Sequence, residues 1–516
     1  MDIKNTQSLS QKTVNGLKWN YIYMILNVIV QVSSTAVLAR LLNPSDYGLI
    51  AMANVILGFG SYFAQLGIGP AIIQKKNLDS ADIITAYLIA IISSVSFTIL
   101  LIILAPLATL IFPDSDVIII LRVMSINFIF SSVSMVSISL LRKEFKFFLL
   151  GALDIISFIC GTLIVGIAMA LMGFGVWSLV FSTIIQGFLS LILTSFYVRQ
   201  YVSISKPTIT KAKELASYGS KYSISSFLEY LTYRSDSVII GHYFPASLLG
   251  IYNRAYLLIQ LPSQYISTNI IKVLFPTLNE VRQEKERFLK YFYSLTTVLG
   301  LALFGSSIFI AVNSKEIVLI ILGTKWAASI NILRILALAI PFHLLINYQG
   351  LIYDVYNYLN TKVILKIIHF IIILFFYFLM LSRGVEGIAV GFLCTETILY
   401  SIYVLISMKI LSIKFGNIVK VHKPFLFISL FVGIPAIIIK YSNYYFDFPA
   451  ITIFILEIVI VPTVVAIGLI FFMPIELKVM VSDFINSISN KNNSKSNFIN
   501  KLLKNYLTKI SANHYV

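Results

Sequence analysis

IITAYLIAIISSVSFTILLIILAPLATLIF, residues 83–112, runs for 30 positions without a charged side chain. A helix needs about 20 consecutive apolar residues to cross the hydrocarbon core of a bilayer, so this stretch is predicted to be a transmembrane helix. The composition of the chain agrees, because 58% of its 516 residues are hydrophobic and 12% are charged. The charged share is about half of that in soluble domains. Together with a mean hydropathy of +0.89, it excludes an ordinary water-soluble protein.

Similar apolar runs recur along the whole chain, between charged or turn-forming breaks. They predict an all-α integral membrane protein with about fourteen transmembrane helices, although the short pairs of runs leave a count of twelve open. The predicted spans lie at 14–39, 48–69, 83–112, 117–141, 147–171, 174–197, 222–243, 248–271, 291–313, 328–353, 364–382, 385–408, 424–440 and 450–473.

Lysine and arginine are distributed unevenly over the loops between these spans. With the N-terminus in the cytoplasm, 30 of the 39 basic residues fall on the cytoplasmic side. Membrane proteins carry such an excess on their cytoplasmic loops, so we predict that both termini are cytoplasmic. Because the basic residues punctuate apolar segments, the net charge of +17 does not indicate nucleic acid binding.

The two halves of the sequence resemble each other. We interpret this as a duplicated six-span unit, with two six-helix bundles related by a pseudo-two-fold axis along the membrane normal. Four short matches recur in order at a nearly constant offset: Leu121-Arg122 with Leu333-Arg334, Gly175 with Gly387, Pro44-x3-Gly48 with Pro245-x4-Gly250, and Lys18 with Lys221.

The duplication predicts the domain organisation. An N-terminal six-helix bundle occupies 1–200, and a C-terminal six-helix bundle occupies 201–412, with the basic stretch 199–221 as a linker. Two additional transmembrane helices follow at 413–475. The tail 476–516 is basic and cytoplasmic, and its apolar spacing fits an amphipathic helix on the membrane as well as a loosely ordered segment.

Polar side chains follow one face of spans one, two, seven and eight, which are equivalent pairs in the two halves. Polar groups are costly in hydrocarbon, so each stripe indicates either hydrogen bonding between helices or a wet cavity. Four stripes at equivalent positions favour a cavity between the halves. The amides predicted to line it, and to bind hydroxyl groups of a ligand, are Asn27, Gln31, Asn54, Gln65, Gln260 and Gln264.

Charged residues within the spans add to this prediction. Glu229 and Asp236 share one face of span seven, because they are seven positions apart, and they are candidates for ion coupling or for orienting arginines. A guanidinium group binds phosphate oxygens with two parallel hydrogen bonds, so Arg254, Arg234 and Arg40 are candidate ligands of an anion. Pairing of Arg234 with a carboxylate is an open alternative. The sequence indicates no cofactor, metal site or nucleotide-binding loop.

RSDSVIIG at 234–241 and LGIYNRAY at 249–256 resemble the span seven and eight signature of bacterial polysaccharide flippases. LARLLNPSDYG at 38–48 fits the same pattern. Those proteins are exporters of the O-antigen, colanic acid and teichuronic acid type within the multidrug/oligosaccharidyl-lipid/polysaccharide superfamily. The resemblance covers most of residues 10–410.

The resemblance implies a flippase rather than an enzyme. It would move an undecaprenyl-diphosphate-linked oligosaccharide from the inner to the outer leaflet of the bacterial inner (plasma) membrane, for O-antigen, capsule or exopolysaccharide biosynthesis. Alternating access would be coupled to H+ or Na+, with membrane lipids around the protein and a polysaccharide polymerase as a candidate partner. The diphosphate would bind Arg254, Arg234 and Arg40. In such proteins the cavity is often cationic. The polar faces of the four spans here are mostly neutral and rich in amides, which departs from that pattern.

Two rival functions stay open. The first is a multidrug or cation antiporter of the same superfamily. The second is a membrane-embedded polysaccharide polymerase or glycosyltransferase, which usually needs a large loop outside the membrane with catalytic residues. The longest outer loop, about 313–331, is short and mostly apolar, which disfavours the second.

Overall fold

The computed structural model describes residues 26–75, 77–199, 205–446 and 448–472. Within these ranges it leaves out the side chains of residues 216, 218, 220–226, 228, 261–277, 443–446, 450 and 466–472. The described chain is almost wholly helical and contains no strand. The predicted amphipathic helix of the tail lies outside the described residues.

The first half of the described chain contains nine helices. A 3₁₀ turn at Ala105–Leu110 extends α4, and a π-helical segment at Ile159–Gly166 joins α7 to α8. The helices are α1 (Leu26–Leu41), α2 (Pro44–Gln65), α3 (Ile68–Gln74), α4 (Ser80–Leu104), α5 (Asp116–Met124), α6 (Asn127–Lys143), α7 (Phe147–Phe158), α8 (Ile167–Leu171) and α9 (Val176–Val198).

The second half of the described chain contains nine more helices. They are α10 (Ile209–Tyr243), α11 (Ala246–Glu280), α12 (Lys285–Val312), α13 (Ser314–Ile317), α14 (Ser329–Val355), α15 (Leu359–Met380), α16 (Gly384–Leu411), α17 (Phe415–Phe446) and α18 (Ala450–Phe472).

The helical membrane fold predicted from the sequence is confirmed. Each of the fourteen predicted spans coincides with one of these helices or with a consecutive pair of them, as far as the chain is described. Nine helical stretches of the described chain are long and apolar enough to cross a bilayer, and shorter apolar helices occur at Leu26–Leu41 and Ile451–Val465. Large apolar side chains are exposed along α4, α15 and α18, as expected for surfaces that face lipid.

Two helices are longer than the apolar pattern predicted. Spans at 222–243 and 248–271 were expected, whereas α10 and α11 contain 35 residues each. The segment 199–221, interpreted as a linker, is therefore helical from Ile209 onward. Hydropathy identifies only the apolar part of a helix. The polar first turns of α10 are stabilised by ion pairs, which cannot be predicted from hydropathy.

The chain divides into two compact units. The first contains Met1–Tyr265, Ile317–Leu336 and Lys366–Thr395. The second contains Ile266–Glu316, Ala337–Leu365 and Glu396–Val516. The domain organisation predicted from the internal duplication stays a prediction. All side chains of the candidate site described below belong to the first unit.

Ion pairs fix the beginning of α10 to the loop between α3 and α4. The Lys75 ammonium lies 3.0 Å from Asp82 Oδ1 and 2.7 Å from Glu214 Oε2, and Lys211 pairs with Asp79. Asp79 also caps α4, because its Oδ1 accepts a hydrogen bond of 2.8 Å from the Asp82 amide. This network anchors α10, which carries the predicted site residues Glu229, Arg234 and Asp236, to the N-terminal helices of its unit.

The Asp79 pair gives the stability of the protein a defined dependence on pH. Lys211 and the Asp82 amide lower the pKa of Asp79 from 3.8 to about 2. A lowered pKa in the folded state stabilises the fold above pH 3.8, and this contribution is lost as pH falls towards 2. We therefore expect Asp79→Asn to unfold at a slightly lower temperature than the wild type at pH 7, with the difference shrinking between pH 4 and pH 2. Asp116→Asn, at the exposed start of α5, is the control. A difference that persists unchanged at pH 2 would contradict this assignment.

A proline within α14 creates a hydrogen bond between helices of the second unit. Pro341 has no backbone N–H, so the carbonyl of Ala337, four residues earlier, lacks its usual partner in the helix. The Ser307 hydroxyl of α12 donates to this carbonyl at 2.7 Å. In a bilayer every backbone polar group needs a partner within the protein, and Ser307 supplies it here.

Candidate functional site

The helices α2 and α11 cross at two glycines. A Cβ atom at Gly48 would overlap the carbonyl of Ala246, and a Cβ atom at Gly250 would overlap the carbonyl of Pro44. The contact is reciprocal, because each glycine lies against the first residue of the other helix. Only residues without a side chain let two helix backbones approach this closely. We call this contact, formed by Gly48 and Gly250, the glycine crossing.

The glycine crossing brings a tyrosine and an arginine together. Tyr47 precedes Gly48 on α2, and Arg254 lies one turn after Gly250 on α11. The guanidinium carbon of Arg254 lies 4.1 Å from the centre of the Tyr47 ring, in the geometry of a cation–π contact. The Arg254 Nε atom is buried without a hydrogen-bond partner, and no carboxylate forms an ion pair with Arg254 anywhere in the described chain. A half-buried guanidinium in this state has unused donors for an anion.

The Tyr47 ring is itself held by the fully buried Trp326. The two rings meet edge to face with centroids 5.3 Å apart, and Trp326 Nε1 donates to the Ala39 carbonyl at 2.8 Å. Tyr47 and Trp326 are functional candidates that the search for polar stripes missed. The aromatic residue beside Gly48 in the quoted motif was the signal that could have identified Tyr47.

Arg40, a predicted anion ligand, is exposed at the end of α1 and hydrogen-bonds the protein. Its Nη2 donates to the Ile320 carbonyl at 2.6 Å, and its own carbonyl accepts from Lys325 at 3.3 Å. Arg40 thus holds the segment that carries Trp326. Some guanidinium donors of Arg40 are used by backbone carbonyls, whereas Arg254 Nε has no hydrogen-bond partner in the described chain.

Three of the predicted amides are at least partly accessible in the described chain. Asn54 is exposed, whereas Gln65 and Gln260 are half-buried. Within the described ranges, none of these three side-chain amides has a hydrogen-bond partner. The Asn54 backbone carbonyl accepts from the Tyr230 hydroxyl at 3.0 Å, which fixes α2 to α10. Each free amide can both donate to and accept from a hydroxyl group.

Two other predicted amides are engaged with the protein itself. Gln31 Nε2 donates to Asn27 Oδ1 at 2.5 Å, and Asn27 Nδ2 donates to Asp154 Oδ2 at 3.4 Å. Asn27 is buried. These residues link α1 to α7. Gln264 lies on α11, but its side chain is outside the described residues.

The predicted ion-coupling residues and Arg234 lie along α10. Asp236 is buried, accepts a hydrogen bond of 2.5 Å from the Ser237 amide and interacts electrostatically with Arg234. Arg234 also interacts with the Tyr230 hydroxyl, one turn earlier. Glu229, which is exposed, forms a long ion pair of 3.6 Å with Lys366 of α15. Arg234 therefore has a carboxylate neighbour, and Arg254 is the predicted arginine with the most unused donors.

The comparisons with known proteins agree on one family. A family model described as "Polysaccharide biosynthesis protein" matches residues 37–331. "Lipopolysaccharide biosynthesis protein WzxC" of Escherichia coli (strain K12) is 22% identical over 84% of this chain and 88% of its own length. "Succinoglycan biosynthesis transport protein ExoT" of Rhizobium meliloti (strain 1021) is 23% identical over 65% of this chain and 67% of its own.

A solved structure shares the fold. "Lipid II flippase MurJ, inward closed conformation" superposes with a TM-score of 0.67 over 88% of this chain and 98% of that one, at 16% sequence identity. At this identity the likeness shows the fold alone.

Proposed function

Because the chain belongs to the polysaccharide biosynthesis protein family, we propose that it is a flippase for a lipid-linked oligosaccharide. It moves the glycan repeat unit, carried on undecaprenyl diphosphate, from the inner to the outer leaflet of the bacterial inner membrane. The observation that supports this most strongly is Arg254, a half-buried guanidinium over Tyr47 without a carboxylate partner in the described residues. The relatives named for polysaccharide biosynthesis and transport support the same class of substrate.

The diphosphate is assigned to the arginines. Arg254 is the principal ligand, since its donors are unused and a diphosphate accepts several charge-assisted hydrogen bonds. Arg40 and Arg234 are secondary ligands in this proposal, because the first also bonds the Ile320 carbonyl and the second lies next to Asp236. The ring of Tyr47 orients the Arg254 guanidinium towards the ligand.

The sugar is assigned to the amides. Asn54, Gln65 and Gln260 supply donors and acceptors without charge, which suits the hydroxyl groups of a neutral glycan. Asn27, Gln31 and Gln264 belong to the same proposed lining, with the first two oriented by Asp154. Neutral groups that can both donate and accept tolerate several sugar orientations, as a moving substrate requires.

The energy source is proposed to be an ion gradient. Alternating access coupled to H+ or Na+ needs a carboxylate inside the membrane region, and Asp236 and Glu229 are candidates on α10. The distribution of lysine and arginine supports a cytoplasmic position of both termini in this proposal. A polysaccharide polymerase would act on the product at the outer leaflet.

Complementation in a bacterium that lacks its own polysaccharide flippase tests the proposal. We expect this chain to restore surface polysaccharide, measured by immunoblot, whereas an empty vector does not. Restored growth on cationic drugs without any surface glycan would support the antiporter instead. Extension of glycan chains by the purified protein would support a polymerase. Either of these two results, without restored export, would overturn the flippase function.

A further inference from the structure

Glu457 lies on α18 of the second unit, and its carboxylate is buried near the apolar contact between α17 and α18. Its exposed fraction is 0%. Within the described residues its side-chain oxygens have no well-formed hydrogen bond, although the Asn313 side chain interacts with them. It lies one turn before Val461, which packs with Ile428, Val432 and Ala436 of α17. A buried carboxylate without hydrogen bonds is strongly unfavourable, so its presence calls for a binding partner.

One neighbouring side chain also has an unused oxygen atom. Asn313 follows α12 and is fully buried. Its Nδ2 donates to the Phe309 carbonyl at 3.0 Å, while its Oδ1 is unpartnered in the described chain. The Asn313 side chain interacts with Glu457. Three oxygen atoms without a well-formed hydrogen bond in the described chain therefore come from Glu457 and Asn313.

The charges around Glu457 do not balance. Lys440 of α17 donates to Glu316 Oε2 at 2.5 Å and also to the Val312 carbonyl. Glu316 and Lys440 are the charged groups that interact with Glu457. Two carboxylates against one ammonium group leave one negative charge in a region of low dielectric constant. One further positive charge would neutralise the cluster.

We propose that Glu457 and Asn313 form a binding site for one monovalent cation, Na+ or H+, and that this cation drives transport together with any ion taken up at Asp236 or Glu229. A sodium ion would be bound by the oxygens of Glu457 and Asn313 Oδ1, whereas a proton would be held by Glu457 and shared with Asn313 Oδ1. The side chain of Lys440 is 25% exposed, so one member of the cluster reaches the surface of the protein. The predicted orientation places this end of α12 at the outer face, where a coupling cation enters. The coupling role rests on the proposed flippase function, but the binding site does not.

Thermal unfolding of the purified full-length chain in lipid nanodiscs tests the binding. The melting temperature is compared in NaCl and in choline chloride of equal ionic strength, at pH 6 and at pH 8. A ligand that binds only the folded state raises the melting temperature, here by about 2 °C or more. Sodium binding predicts a rise in NaCl over choline chloride, and proton binding predicts a rise at pH 6 that is equal in both salts.

Glu457→Gln is the decisive variant, because it removes the charge and keeps the shape. We expect it to fold, with a stability at least equal to that of the wild type, and to lose whichever response the wild type shows. Asn313→Leu removes one oxygen without changing any charge and should weaken the same response. Glu386→Gln, an exposed glutamate that accepts from Asn331 at 3.1 Å, is the matched control and should keep it. Identical responses of Glu457→Gln and wild type to both salt and pH would overturn the site.

Measuring export distinguishes a failure of the proposed cation site from a failure of the proposed flippase function. In the complementation assay, Glu457→Gln should lower surface polysaccharide several-fold at normal expression. If the wild type does not export, the flippase function is wrong, while the melting experiment still decides the cation site. If the wild type and Glu457→Gln export equally well, the coupling role is wrong.

Discussion

Arg254→Ala should lower the export of surface polysaccharide about 10- to 100-fold at normal expression. Hydrogen bonds to charged groups contribute about 1.5–3 kcal/mol each, and every ~1.4 kcal/mol is a tenfold change in binding. We expect the loss of export at this residue because Arg254, stacked on the Tyr47 ring, has hydrogen-bond donors that no protein group uses in the described chain. The measurement is the amount of surface glycan in the complemented strain, normalised to the amount of protein in the membrane.

Companion variants distinguish charge from geometry at this position. Arg254→Lys keeps the charge but loses the planar pair of donors, so export should be intermediate. Tyr47→Phe keeps the ring face and should export normally, whereas Tyr47→Ala removes the surface that orients Arg254. Arg334→Ala, at an exposed arginine near Asn331, is the control. Full export by Arg254→Ala would show that the diphosphate binds elsewhere.

Substitution of valine at the glycine crossing should be the most damaging change to the fold. The Cβ of any residue at Gly48 or Gly250 would overlap a backbone carbonyl, which cannot move aside as a flexible side chain can. Overpacking costs about 1–3 kcal/mol even where side chains give way, so we expect a larger loss here. The yield of monodisperse protein in detergent and its melting temperature measure the effect.

The same variants should also abolish export, because Tyr47 and Arg254 are brought together by this crossing. Gly416→Val is the control, since a Cβ at Gly416 meets nothing within 4 Å. Gly250→Ala should be milder than Gly250→Val. If Gly48→Val and Gly250→Val both fold as stably as the wild type, the close approach of α2 and α11 is not a property of the protein.

The sequence predicted the helical membrane fold well, for a physical reason. A span has to be apolar along its whole length in the bilayer, so hydropathy alone locates it. The beginning of α10 was not predicted, because its polar turns are stabilised by partners distant in sequence, such as Glu214 with Lys75. The end of α11 was not predicted either, since it extends beyond the apolar run. Hydropathy carries no information about such ion pairs.

The candidate site was predicted only in part. Residue type and helical periodicity identified Arg254, Asn54 and Gln260 as polar groups in spans. In the described chain Arg254 Nε has no hydrogen-bond partner, and Asn54 and Gln260 are at least partly accessible. Periodicity could not reveal that Asn27 bonds Asp154, since the two are 127 positions apart. It also missed Tyr47, because an aromatic ring on an apolar helix does not stand out until its neighbour across the crossing is known.

The hydrogen bond from Ser307 to the carbonyl that Pro341 releases has an evolutionary consequence. The two positions are coupled: with proline at 341, the residue at 307 must offer a hydroxyl or another donor to the Ala337 carbonyl. Once position 341 regains a backbone amide, that constraint disappears and 307 can drift to alanine. We therefore expect lineages to lose the serine only after they have lost the proline, because an earlier loss would leave the Ala337 carbonyl without a partner.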